Sequence, residues 1–221
     1  MENEPLGLYE DEPVNGGNLE PVTHIKRYIV YAVGDSTEGG DGLEALSFRL
    51  KSLDDAEGKE SGSPIGSISL QDWIADIAKR GPMFISPDIR SNPPETPLDV
   101  VITEPCQLVF HLYGDFWKFM PVDGNRKVHR IKAKKPKGKP THAGRYAEVL
   151  GWNLGPAGAS PAHDGAPCNT ISMRCGKPTK ADPNGNHERH GFNFYIRMKN
   201  GAGPELPIII DPNVENKGGN P

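Results

Sequence analysis

The densest run of side chains able to hold a metal or attack a substrate is HDGAPCNTISMRC followed downstream by NHERH, which brings His163, Cys168, Cys175, His187 and His190 into one stretch. Zinc takes four cysteine or histidine ligands, commonly as pairs two to four residues apart. No C-x-x-C occurs here, and His187 and His190 stand three apart beside Gly191. The spacing therefore predicts no metal and no cofactor; a zinc ion, if held, would fall to Cys168, Cys175, His187 and His190. Cys168 follows Pro167 in a Gly-rich loop and is the candidate nucleophile. A nucleophilic thiol needs a base within hydrogen-bond reach and a lowered pKa, and neither can be read from the pattern. Cys106 and Cys175 read as core residues of strands, so no catalytic residue is assigned.

Two further constellations carry polar chemistry. His190, Asn193 and Asp211 form a candidate polar site at the ends of two strand-like runs, with Asn213 and Glu215 beyond. An Asx turn after a strand accounts for Asp211 equally simply. The other is a basic segment: Arg126, Lys127, Arg130, Lys132, Lys134, Lys135, Lys137 and Lys139 occur without an intervening acid. Such a segment can bind phosphates without reading sequence. The whole chain carries a net charge of −4, so subtracting these eight bases leaves −12 on everything else. That charge repels a polyanion, and the segment has no aromatics for base stacking. Nucleic acid is thus an unlikely partner, and a protein partner or self-association is expected. The acids concentrate at the other end: Glu2, Glu4, Glu10, Asp11, Glu12 and Glu20 fall in the first twenty residues, which hold no lysine or arginine.

The elements that must position these residues are short strands. KRYIVYAV (26–33) is rich in Tyr, Ile and Val. LSFRLK alternates with Leu46, Phe48 and Leu50 on one face, and GFNFYIRMKN does so with Phe192, Phe194, Ile196 and Met198. That period of two marks half-buried strands. LDVVITE, QLVFHLY, VHRIK, GRYAEVLGW, TISMRC and LPIII add more, with FWKFM continuing QLVFHLY after Gly114-Asp115 and MFIS adding a short run. Residues 153–168 read as a Gly/Pro/Ala-rich loop. The one helix, SLQDWIADIAKRGP, has Ser69 as N-cap and is stopped by Gly81 and Pro82; it is expected near residues 70–80. Phe116, Trp117, Phe119, Trp73 and Trp152 read as core, with a sugar platform as the functional alternative.

Gly (26) and Pro (22) make up about a fifth of the 221 residues, well above the usual ~12%. With many strands separated by turn signals, this predicts a mainly β, antiparallel, jelly-roll-like β-sandwich. The expected organisation is a disordered acidic arm (1–24), a single β-sandwich domain (25–211) and a flexible tail (212–221). Three cysteines do not make a disulfide framework, no signal peptide opens the chain and no apolar run can span a bilayer. A cytoplasmic location is expected.

RHGFNFYIRMKNG with LPIIIDPNVENKGG, and GPMFISPDIRS (81–91), resemble blocks of an uncharacterised bacterial protein family sometimes labelled "nucleotide synthetase". The resemblance covers about a quarter of the chain and implies a bacterial source and one domain. The label would require phosphate binding. The chain has no G-x-x-x-x-G-K-[ST], and no Gly-rich turn between a strand and a helix. The reading is a non-enzymatic bacterial β-sandwich protein acting through protein–protein contact or self-assembly. The alternatives are a small-molecule or carbohydrate-binding module, and a hydrolase or transferase using loop His and Cys residues.

Overall fold

Period-two hydrophobicity dominates the chain, and the computed structural model answers it with strands. It describes residues 9–13, 24–35, 45–52, 63–64, 99–102, 105–120, 131–136, 146–155, 158–162, 166–176, 188–199, 202–210 and 213–216. In chain order the strands are β1 (Tyr9–Pro13), β2 (His24–Asp35), β3 (Ala45–Ser52), β4 (Ser63–Pro64), β5 (Asp99–Ile102), β6 (Cys106–Leu112) and β7 (Trp117–Phe119). They continue with β8 (Ile131–Pro136), β9 (Tyr146–Gly155), β10 (Gly158–Pro161), β11 (Thr170–Cys175), β12 (Glu188–Met198), β13 (Leu206–Ile210) and β14 (Asn213–Asn216).

They form two sheets. Sheet I runs β1-β8-β12-β14-β5, with β13 and β7 also paired to β12. Sheet II runs β10-β9-β11-β6-β2-β3, with β4 also on β2. The ladders are antiparallel except two: β14 with β5, and β2 with β6. A parallel pair needs a long crossover, and here other strands supply it.

One apolar cluster draws on both sheets. From sheet II come Tyr28, Val30, Cys106, Leu108, Phe110, Leu112, Ile171, Met173 and Cys175; from sheet I come Ile102, Trp117, Phe119, Phe192, Phe194, Ile196 and Ile210. Ring pairs tie them together. Phe110 meets Phe194 edge-on at 4.8 Å between centroids, and Phe48 stacks on Trp117 at 5.8 Å. Each such pair is worth about 0.5–1.5 kcal/mol beyond area burial.

The structure changes several expectations. FWKFM does not continue β6. Gly114, at φ 97°, turns the chain out of sheet II, and β7 joins β12 in sheet I. A Cβ at Gly114 would lie 2.6 Å from Phe116 Cε1. Likewise β5 and β6, adjacent in sequence, belong to different sheets. Residues 9–13, expected within a disordered arm, form β1, because β8 offers them an edge to pair with. Residues 131–136 of the basic segment are that strand, β8, which begins within the expected strand VHRIK and runs beyond it. Residues 213–216 of the expected tail form β14, which finds β12 on one side and β5 on the other. Residues 158–161 of the expected loop form β10, folded back on β9. The helix expected near 70–80, MFIS and Trp73 lie outside the described residues, among which there is no helix. No described helix is long and apolar enough to cross a membrane.

Candidate functional site

Sheet II buries both faces of its central strands. Leu108, Phe110, Ile171 and Met173 take the core side. Strand alternation then gives Gln107, Val109 and His111 of β6, and Thr170, Ser172 and Arg174 of β11, to the opposite face. The register aligns them in rungs: His111 opposite Thr170 and Thr170 opposite Trp152, Val109 opposite Ser172, Gln107 opposite Arg174. A β-bulge on the β9–β11 ladder separates Ser172 from Arg174. Gln107, Thr170, Ser172 and Trp152 are all buried. The result is a polar band across a covered sheet face, where an apolar one would be expected.

A hydrogen-bond chain crosses this band. His111 Nδ1 lies 2.8 Å from Thr170 Oγ1, and the Thr170 hydroxyl donates to Asn169 Oδ1 at 3.1 Å. Since that hydroxyl proton is committed to Asn169, Nδ1 carries its proton and donates to Thr170. Asn169 then docks on β9 as a strand backbone would. Its Oδ1 accepts from the Leu154 N–H at 2.8 Å, and its Nδ2 donates to the Leu154 carbonyl at 2.7 Å. This side chain extends the β9–β11 ladder beyond its last backbone pair. Beside the chain, Gln107 Nε2, Trp152 Nε1 and Ser172 Oγ are buried with no hydrogen-bond partner among the described residues.

Burial, and then the charge of Lys118, lower the His111 pKa from 6.5 to about 4. The ring is neutral at pH 7. A general base works best with a pKa near the operating pH, so this imidazole is suited to holding its hydrogen bond to Thr170 more than to moving a proton.

The residues singled out from sequence fare differently. Cys168 is fully buried in the core cluster, where its N–H and carbonyl bridge Phe119; it is no solvent-facing nucleophile in a loop. Cys175 is also fully buried, opposite Cys106 across β6 and β11. Burial, then the hydrogen bond and charge of Cys106, push its thiol pKa well up, which makes it a poor nucleophile and a poor ligand. His190 pairs with Val214 in β12, and Asn193, opposite Lys132, is buried. Asp211 lies outside the described residues, as do His163, His187, Arg126, Lys127, Arg130, Lys137 and Lys139. Lys132, Lys134 and Lys135 stand in β8. Among the described residues no three His, Cys, Asp or Glu groups gather into a metal site. Trp117 and Phe119 are core, as expected, while Phe116 is partly exposed and stacks on Trp117.

His111, Asn169 and Thr170 were not expected to act together. The available signal was polar residues at alternate positions of QLVFHLY and NTISMR, which ordinarily marks a wet face. No protein-family model matches the chain, and no curated protein matches it either.

Proposed function

We propose that the chain is a non-enzymatic protein, an antiparallel, jelly-roll-like β-sandwich, that acts through protein–protein contact by associating with a second copy of itself along β13. The observation that carries this reading is the state of β13. Its pairing with β12 occupies one edge, and no described strand pairs with the other. On this strand Leu206 is 45% exposed and Ile209 58%. Ile208 and Ile210 turn to the core, which leaves Ile209 outward beside Tyr195 of β12. An unpaired strand edge with exposed apolar side chains templates pairing with another chain. Antiparallel pairing of identical strands closes around a two-fold axis. Pro207 supplies no N–H, which weakens longer edge-to-edge growth and favours a closed pair.

Size-exclusion chromatography with light scattering tests the proposal. The wild-type chain should run as a dimer that dissociates on dilution. A Leu206→Glu, Ile209→Lys variant should run as a monomer with a nearly unchanged melting temperature, since surface substitutions rarely shift stability by more than ~0.5 kcal/mol. A wild-type monomer at high concentration would sink the proposal.

The polar band favours a second reading, a small-molecule-binding module. Gln107 Nε2 and Trp152 Nε1 are donors with no partner among the described residues, so the matching ligand is rich in acceptors, such as a sugar or a hydroxy acid. A panel of such compounds should then contain one that raises the melting temperature of the wild type and not of Gln107→Leu.

A further inference from the structure

We infer that the side of β8 that does not face β12 is a receptor for an acidic extended segment, and that residues 9–13 of a second copy fill it by strand exchange. This deepens the self-association reading but uses a different edge from β13, so the two can fail separately.

The register carries the argument. β1 lies antiparallel to β8, with Glu10 opposite Lys135 and Asp11 opposite Lys134. Opposite charges at directly opposed positions stabilise a ladder, and like charges there destabilise it. β8 is the only strand that β1 pairs with among the described residues, so β1 is the outermost strand of sheet I. Proline stands at both corners of the ladder, with Pro136 opposite Tyr9 and Pro13 opposite Lys132. A proline has no N–H to donate, so the recognised segment is short.

The chain that follows permits exchange. β2, the next strand, belongs to sheet II. Residues 14–23 separate the two and include Gly16-Gly17. Ten residues span up to about 35 Å when extended, and swapping an identical terminal element is a low-cost route to dimers. Tethering gives the arm an effective concentration of order millimolar for its own β8. The wild-type arm therefore closes in cis in dilute solution and exchanges when the chain is crowded.

Two charge-reversed chains separate cis from trans, both built on Ile209→Lys so that β13 takes no part. One carries Glu10→Lys and Asp11→Lys; the other carries Lys134→Glu and Lys135→Glu. Alone, each sets like charges opposite one another. Mixed, each arm finds opposite charge only on the other chain. At low salt the mixture should give a heterodimer in native mass spectrometry, in roughly tenfold excess over the homodimer of either variant. About 0.5 M salt should dissolve it, because screening then acts within a few ångströms. All four reversals in one chain should restore the monomer. A mixture with no more dimer than its components overturns the inference. If circular dichroism shows that a variant does not fold, the wild type decides. A fluorescent peptide of residues 1–20 should gain anisotropy on the concentrated wild-type chain at low salt, and an E10K/D11K peptide should not. No gain for the native peptide overturns the inference as well.

Discussion

His111 makes a pH sensor of limited range. Its folded-state pKa of about 4 lies below the 6.5 of an unfolded chain. The unfolded state therefore binds the proton first, and stability falls as pH drops from 6.5 towards 4. Above 6.5 the ring is neutral in both states and contributes no slope; below 4 it is charged in both. A shift of this size corresponds to roughly 3 kcal/mol. Denaturant midpoints measured across that window should fall more steeply in the wild type than in His111→Gln, whose amide can still donate to Thr170. Equal slopes would mean the ring is not held neutral. Asn169 has the larger constant role. It satisfies both backbone groups of Leu154 and accepts from Thr170. Asn169→Ala should cost about 2–4 kcal/mol, because a buried group left unpaired loses its full desolvation cost. A loss below 1 kcal/mol would show that water replaces the side chain without difficulty.

Individual strands were legible in proportion to how much of their pairing is decided by local pattern. β6, β11, β12 and β13 fall close to the runs QLVFHLY, TISMRC, GFNFYIRMKN and LPIII, because alternating aromatic and β-branched residues leave one way to face a core. β1, β10 and β14 were not legible. YEDEP, GASP and NVEN have little strand propensity and exist as strands because a neighbour offers an edge. Propensity read along the chain does not contain that neighbour. Sheet membership was hidden for the same reason, as β7 shows. Its aromatic run resembles an extension of β6, and only the left-handed turn at Gly114 sends it to β12. Gly114→Ala should destabilise the fold by about 1–2 kcal/mol, since φ 97° is costly for any residue with a Cβ. Unchanged stability would mean that this turn relaxes freely. The candidate site suffered from a different ambiguity. Thr170, Ser172 and Gln107 stand out as polar alternates, but a pattern of two cannot tell a solvated face from a covered one.

Across the molecule, aromatic contacts join the two sheets, and acidic residues stand opposite basic ones at one edge. Phe194 touches both Phe110 of sheet II and Phe119 of sheet I. Phe194→Ala should therefore cost about 3–5 kcal/mol and broaden the unfolding transition; a loss under 1 kcal/mol would show that the sheets do not depend on this ring. Charge acts differently, because β1 covers the side of β8 that does not face β12. Deleting residues 1–20 should raise retention on heparin at low salt. Changing Lys132, Lys134, Lys135 and Lys137 to Gln in the shortened chain should abolish the gain. Retention that ignores the deletion would mean that β1 does not mask the basic strand.

The parallel pairing of β2 with β6 has a consequence for how the chain comes to be folded. His24 meets Cys106 across roughly 80 residues of chain. Closing a loop of that length loses entropy before any contact repays it, and topologies rich in such pairings fold in milliseconds to seconds. The β2–β3 hairpin leaves the ribosome well before β6 exists. During that interval the edge of β2 that later holds β6 is open, next to Tyr28 and Val30, two apolar residues destined for burial. The newborn chain is therefore most prone to aggregate at this edge. Slower translation through residues 53–105 should lower its soluble yield without altering the stability of the molecules that do fold.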